Sequence, residues 1–339
     1  MKSKFSISLL IAVIGCCFQN CKSNEDIPGD PEKPVSTTLT VQELPVIDGS
    51  DSTEPLRSIL VSKLLGCEYE WLRNMPVMHY LGLRKVEIKS SAYGLSSKVI
   101  NSNTHPSFVN LIDGKVDIII TARGISRDEA KYAEGKGVKL LQKPIARDGL
   151  AFIVNAENPV KSLTHQQIKD IYLKRITNWK EVGGEDAPIT PYIRNANSGS
   201  QEKFETIVMN QEEIGQMEIL KLEAGKLMLS PYYQLDENKY GIAFSPYYYY
   251  RYIVDWEKVK TIGVNGIEPN KESLTGRNTP SSIDPAQKNL YPFATEVIVA
   301  VREDCPKDSH AYKIYEMLST KQGQDIVEES GYVRYYSDK

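Results

Sequence analysis

The chain has 339 residues, room for two ordinary domains, and its 41% apolar and 25% charged residues are those of a globular protein with a sizeable core. A net charge of −3 and the lack of any long Lys/Arg block argue against a nucleic-acid partner. His79, His105, His165 and His310 are scattered without ligand spacing, and no Cys/His pattern suggests a metal or a cofactor.

Residues 1–4 are basic, and residues 5–14 are an apolar run too short to span a membrane comfortably, which fits a secretory signal over residues 1–15. The run ends in Val13-Ile14-Gly15-Cys16, which resembles the bacterial lipobox. That resemblance implies cleavage before Cys16 and a lipid on its thiol. Residues 16–40 are rich in Pro and acidic side chains and read as a flexible tether. Only Cys67 and Cys305 lie in the folded part; they read equally well as a disulfide or as two buried small side chains.

Residues 45–48 form a short strand, followed by a polar loop and a helix with Pro55 in its first turn behind Ser52 and Thr53. Leu56, Ile59, Leu60, Leu64 and Cys67 recur at helical spacing. Residues 86–90 are strand-like, and Asn103, Thr104 and Pro106 start a second helix with Phe108, Leu111 and Ile112 on its apolar side. Residues 115–123 are a continuous apolar strand, the kind buried in a parallel sheet, ending in Thr121 and Arg123. Ser126 with Glu129, and Thr164 with Gln167, are capping boxes. Residues 149–155 form another buried strand. Residues 190–193 form a strand that leads through a polar loop into a helix over Phe204, Ile207 and Val208, for which Ser198 and Gln201 read as the capping box. Residues 241–245 and 294–301 are strands, and residues 246–252 are half-buried tyrosines under a loop. Residues 265–289 are irregular, and residues 312–327 form a closing helix. This alternation is an α/β pattern with mainly parallel sheets, in which ligands bind at the carboxyl ends of strands.

Arg194 supplies a planar fork of donors, and Ser198, Gly199 and Ser200 sit where a helix exposes unpaired N–H groups. Such a set suits a carboxylate, phosphate or sulfate. Two further strand ends lead into Ser/Thr-rich helix starts, so three helix N-termini and Arg194 could surround one anion.

In this order and spacing, the chain resembles the periplasmic phosphate-binding proteins of bacterial ABC transporters over about residues 45–333. The most specific stretch is Arg194-Asn-Ala-Asn-Ser198-Gly199-Ser200. Residues 49–56, residues 117–123, Leu163-Thr164 with Asn178-Trp179 and Gly183-Gly184, and Gly323-Gln324 with residues 331–333 support it. The resemblance implies a two-lobed, type II periplasmic-binding-protein fold with two interlobe crossovers, near residues 146–149 and 291–295. Lobe I would take residues 41–147 and 292–339, and lobe II residues 148–291. It implies a monomeric receptor without catalytic residues or cofactor, outside the cytoplasm in the periplasm or at the cell surface, anchored through Cys16. It would capture inorganic phosphate or a related tetrahedral oxyanion and deliver it to a membrane permease. Arg194, Ser198, Gly199 and Ser200 would grip the anion from lobe II. Ser52, Thr53 and the Glu54 N–H would do so from lobe I, with Thr104, Thr121 and Arg123.

Two positions depart from the family. Ala196 and Ala122 stand where its members place carboxylates that accept the proton of a protonated phosphate and repel sulfate. Asp51 or Glu54 could take that part, and His105 is either an anion contact or an ordinary helix-start histidine. Other classes are a surface sensor or adhesion lipoprotein without a transport partner, and a phosphatase. The phosphatase reading lacks any nucleophile–base pair or metal cluster in the sequence.

Overall fold

The computed structural model describes residues 38–77, 81–195, 198–214, 218–219, 229–275 and 290–336. The signal over residues 1–15, the lipidation site Cys16, residues 16–37 of the tether and Ala196 lie outside the described residues.

In chain order the first elements are β1 (Ile47–Gly49), α1 (Glu54–Leu65), β2 (Tyr69–Val77), β3 (Leu81–Ile88), α2 (Thr104–Ile112), β4 (Ile118–Thr121) and α3 (Arg127–Gly135). Then come β5 (Leu140–Asn155), β6 (Ser162–Leu163), α4 (His165–Tyr172), β7 (Thr190–Ile193), α5 (Gly199–Lys203), β8 (Glu218–Ile219), α6 (Ser230–Glu237) and β9 (Gly241–Pro246). The last are β10 (Val254–Asp255), β11 (Val259–Val264), α7 (Lys271–Leu274), β12 (Ala294–Arg302), α8 (His310–Met317), α9 (Lys321–Glu329) and β13 (Val333–Arg334).

The strands follow one path, β1-β4-β12-β5-β9-β7-β8, with β11 and β13 also on β5. The 16-residue β5 explains the architecture. Its first part, Leu140 to Gly149, pairs with β12, and its next residues, Leu150 to Val154, pair with β9. One continuous strand thus runs through both halves of the sheet and changes partners at Gly149/Leu150. The sheet is mixed, which corrects the expectation of mainly parallel pairing. β1–β4 and β7–β9 are parallel, but β12–β4, β12–β5 and β5–β9 are antiparallel. A chain that passes from one lobe to the other and returns must run its two crossing strands in opposite directions.

A second sheet was not foreseen. β2 and β3 form a hairpin whose second strand pairs with β10, Leu83 opposite Val254, and Arg84 bonds Asp255 at 3.0 Å. The closing helix is two helices, α8 and α9, because the Thr320 hydroxyl caps a fresh start at Gly323. The tyrosine stretch is buried rather than half-buried: Tyr247 to Tyr250 and Tyr252 are each at most 9% exposed, and much of it winds as a π-helix over Tyr249–Ile253.

The loop after β7 is anchored by aromatic packing. α5 runs into a π-helical turn, Phe204–Val208, and Phe204 is fully buried. Its ring stacks on Phe244 of β9 at 4.6 Å and meets Tyr172 of α4 at 4.5 Å. These contacts fix the segment that carries Ser198 to Ser200.

Candidate functional site

Four chain segments converge on one cavity of about 300 Å³. They are the turn after β1, the loop before α2, the end of β4, and the loop from Arg194 to α5. Pro246 at the end of β9 completes the lining. The volume stands at the lower end of small-molecule pockets, the scale of a small ion with its remaining waters.

The β1 turn is set by close backbone approach. A Cβ on Gly49 would lie 1.9 Å from the Ile120 carbonyl oxygen and 2.5 Å from Arg57 Nη1, so only glycine fits. Asp48, fully buried, accepts the N–H of Gly49 and, across the loop, the N–H of Ser102 at 2.9 Å and Asn110 Nδ2 at 3.0 Å. This carboxylate ties the turn to the loop before α2. The hydroxyls of Ser50 and Thr104 meet at 2.8 Å, and Ser50 Oγ accepts the Ala122 N–H at 3.0 Å. Three segments are thereby locked together by one serine.

On the opposite wall, Arg194 leaves the end of β7 and is 4% exposed. Burial pulls its pKa down to about 10, against the opposing pull of Tyr249, Tyr232 and Asp51, so it stays a cation at neutral pH. Its backbone N–H donates to Gln201 Oε1 at 2.8 Å. Gln201 therefore holds the strand end and makes no capping box with Ser198, whose hydroxyl instead meets Ser200 Oγ at 3.1 Å. The two walls touch: a Cβ at Gly199 would lie 2.8 Å from Thr104 Oγ1.

Of the residues expected at the site, Ser52, Thr104, Arg194, Ser198, Gly199 and Ser200 line this cavity, and so does His105. Four do not. The Thr53 hydroxyl donates to the carbonyls of Ser50 and Ile120, and the Glu54 N–H is spent on the Asp51 carbonyl. Thr121 Oγ1 donates to the Arg123 carbonyl. Arg123 makes a bidentate pair with Glu129, both bonds 2.8 Å, with Glu129 fully buried. These four groups have partners in the fold and stand outside the cavity lining. His105 leans the same way, its Nδ1 lying 2.9 Å from Glu129 Oε1.

Ser50, Ser102, Asn103 and Asn195 also line the cavity and were not expected as contacts. The one available signal was position: Ser50 directly follows the glycine that ends β1, and Asn103 sits just before a helix. Asn103 has φ 75° with ψ 170°, a backbone conformation that residues with a side chain rarely adopt. No cluster of three or more His, Cys, Asp or Glu side chains able to hold a metal occurs among the described residues. None of the described helices is long and apolar enough to cross a membrane.

The model of the PBP superfamily domain matches residues 79–312. The chain is 27% identical over 238 residues to the phosphate-binding protein PstS of Staphylococcus epidermidis, covering 68% of each. It is 28% identical over 240 residues to the PstS of Staphylococcus aureus, covering 68% of this chain and 67% of that protein. Among solved structures, one described as a phosphate ABC transporter substrate-binding protein with bound phosphate, from Clostridium perfringens, has a TM-score of 0.59 at 24% identity and covers 86% of this chain and 98% of that one. An ABC-type phosphate transport receptor from Vibrio cholerae has a TM-score of 0.55 at 22% identity, covering 85% of this chain and 98% of that one. At these identities the solved structures establish the two-lobed fold.

Proposed function

The chain belongs to the PBP superfamily, and on that premise we propose that it is an extracytoplasmic receptor that captures inorganic phosphate, or a closely related tetrahedral oxyanion, for an ABC-type importer. The carrying observation is Arg194, a buried cation on the wall of a small cavity where the turn after β1, the loop before α2, the end of β4 and the loop into α5 meet. The names of the staphylococcal relatives and the phosphate in the Clostridium perfringens structure support phosphate as the solute.

In this reading residues 41–147 and 292–339 form lobe I, residues 148–291 form lobe II, and the lobes close about the crossing of β5 and β12. Ser52 and Thr104 contact the anion from lobe I; Arg194, Ser198, Gly199 and Ser200 contact it from lobe II. Binding is non-covalent. The anion loses its water, and the guanidinium, hydroxyls and backbone N–H groups replace it in fixed positions. Among the described residues lining the cavity, none is paired as nucleophile and base. The receptor acts as a monomer held to the membrane through a lipid on Cys16, with the importer's permease as its protein partner. Replacing Cys16 with Ala should release it from membranes, and retention would contradict the anchor.

Isothermal titration of ligand-stripped protein with phosphate, arsenate, molybdate and sulfate tests the reading. Heat with phosphate is expected. No heat with any of the four would overturn it.

A further inference from the structure

Among the fully buried side chains of the described residues, only Trp179 is larger than Arg57 of α1. A guanidinium keeps its proton inside a protein, so this is a cation held out of water. A buried charge is ordinarily paired with its opposite. Arg57 is not. Its Nη2 donates to two neutral oxygens, Asn101 Oδ1 at 2.7 Å and the Ser50 carbonyl at 3.3 Å, while Nε and Nη1 have no hydrogen-bond partner. Among the described residues no carboxylate stands within ion-pair distance of it. Burial lowers its pKa, and Glu54, Asp48 and Asp51 counter that fall from farther off, with Tyr332. All four use neutral groups for their own hydrogen bonds. Asp48 accepts the N–H groups of Gly49 and Ser102 and the Asn110 amide, Glu54 the Ser58 hydroxyl and Asp51 the Asn101 amide. The Tyr332 hydroxyl donates to the Ser52 carbonyl.

This cation stands directly behind the cavity wall. Ser50, one of its acceptors, lines the cavity, and Asn101, the other, precedes Ser102, which also does. Its Nη1 lies 2.5 Å from where a Cβ on Gly49 would be, against the back of the β1 turn. Asp51 registers its charge inside the cavity: burial raises the Asp51 pKa, and Asn101, Arg57 and Arg194 all oppose that rise. Arg57 and Arg194 thus reach one cavity from different elements, α1 and the end of β7. Inorganic phosphate passes from one negative charge to two near neutral pH, and Arg194 supplies one positive charge. At low dielectric the second negative charge is costly unless another cation offsets it.

We propose that Arg57 is the second cation of the oxyanion site: without touching the ion, it offsets the second negative charge from behind the β1 turn and so sets a preference for the doubly charged form. This rests on the oxyanion reading above.

The test is calorimetric titration of ligand-stripped protein with phosphate on both sides of phosphate's second ionisation. Wild type should bind more tightly where phosphate is doubly charged, and an affinity no higher there would overturn the proposal. Arg57→Met and Arg57→Gln remove the charge, and a thermal melt establishes which of them folds. In a folded neutral variant the affinity should fall on the order of tenfold or more on the doubly charged side and by less on the singly charged side, so that the pH profile flattens. Arg57→Lys returns a charge and should recover the profile. A residue that only props the wall would lower affinity equally on both sides, so a folded neutral variant that keeps the wild-type difference overturns the proposal. The flattening should persist when Asp51→Asn is added, since the lining carboxylate then cannot titrate; its disappearance there would assign the profile to Asp51 and overturn the role of Arg57. Wild-type protein that binds neither phosphate nor arsenate overturns the oxyanion reading itself.

Discussion

Gly199→Ala separates the free receptor from its closed, loaded state. A Cβ at position 199 would meet Thr104 Oγ1 at 2.8 Å, Thr104 Cβ at 3.3 Å and Cγ2 at 3.5 Å. Thr104 cannot simply turn aside, because its hydroxyl is bonded to Ser50 Oγ at 2.8 Å in a buried position. Forcing one methyl group into such a contact typically costs about 1–3 kcal/mol. In the two-lobed reading proposed above this contact joins the lobes, so the penalty falls on closure. An affinity loss of roughly 5- to 150-fold is expected. Away from that contact the same change replaces a glycine at the first residue of α5, where Ala suits the helix at least as well. The variant should therefore melt at the same or a higher temperature without ligand while binding phosphate more weakly. Calorimetric titration paired with thermal melts with and without anion reads both effects. An unchanged affinity in Gly199→Ala would refute closure at this contact.

Arg194→Ala should weaken phosphate binding by about 3–5 kcal/mol, because a buried anion is left without its nearest cation; titration that finds wild-type affinity would remove Arg194 from the site. Phe204→Ala should destabilise the protein by about 3–5 kcal/mol in urea unfolding, through the cavity left against Phe244 and Tyr172. Glu129→Gln should cost up to about 3 kcal/mol, since it removes the bidentate partner of the buried Arg123 guanidinium and leaves it Glu202 at 3.5 Å. Burial pushes the Glu129 pKa up, but the Arg123 bonds and charge outweigh it and hold the group below its ordinary value of 4.5. The stability from this group is therefore complete above that value and is lost as pH falls through the lower folded value. Unfolding midpoints followed below about pH 4 should drop more steeply in wild type than in Glu129→Gln.

How far the sequence could be read depended on whether the deciding contact was local. The capping boxes at Ser126–Glu129 and Thr164–Gln167 form as expected, because both partners lie within one turn. Ser198–Gln201 has the same spacing and does not form. There the Arg194 N–H, seven residues back, competes for Gln201 and wins. The same competition acts at Thr53 and Arg123, whose donors go to the Ile120 carbonyl and to Glu129. Strand direction was not readable either, since β5 and β12 show the same apolar pattern whichever way they pair. The β2–β3 hairpin escaped because Tyr69–Val77 interleaves charged residues and Pro76 with its apolar positions, and its partner β10 lies far along the chain. Arg194, Ser198, Gly199 and Ser200 were legible because one short loop carries all four.

The central claim is that a tetrahedral oxyanion sits between the β1 turn and the Arg194 loop. A crystal of the protein grown with arsenate tests it most directly, because arsenic can be located by its own anomalous scattering. One strong arsenic peak is expected inside the cavity, its oxygens within hydrogen-bond reach of Arg194, Thr104 and Ser198 to Ser200. A peak elsewhere on the molecule, or an empty cavity at saturating arsenate, would contradict it.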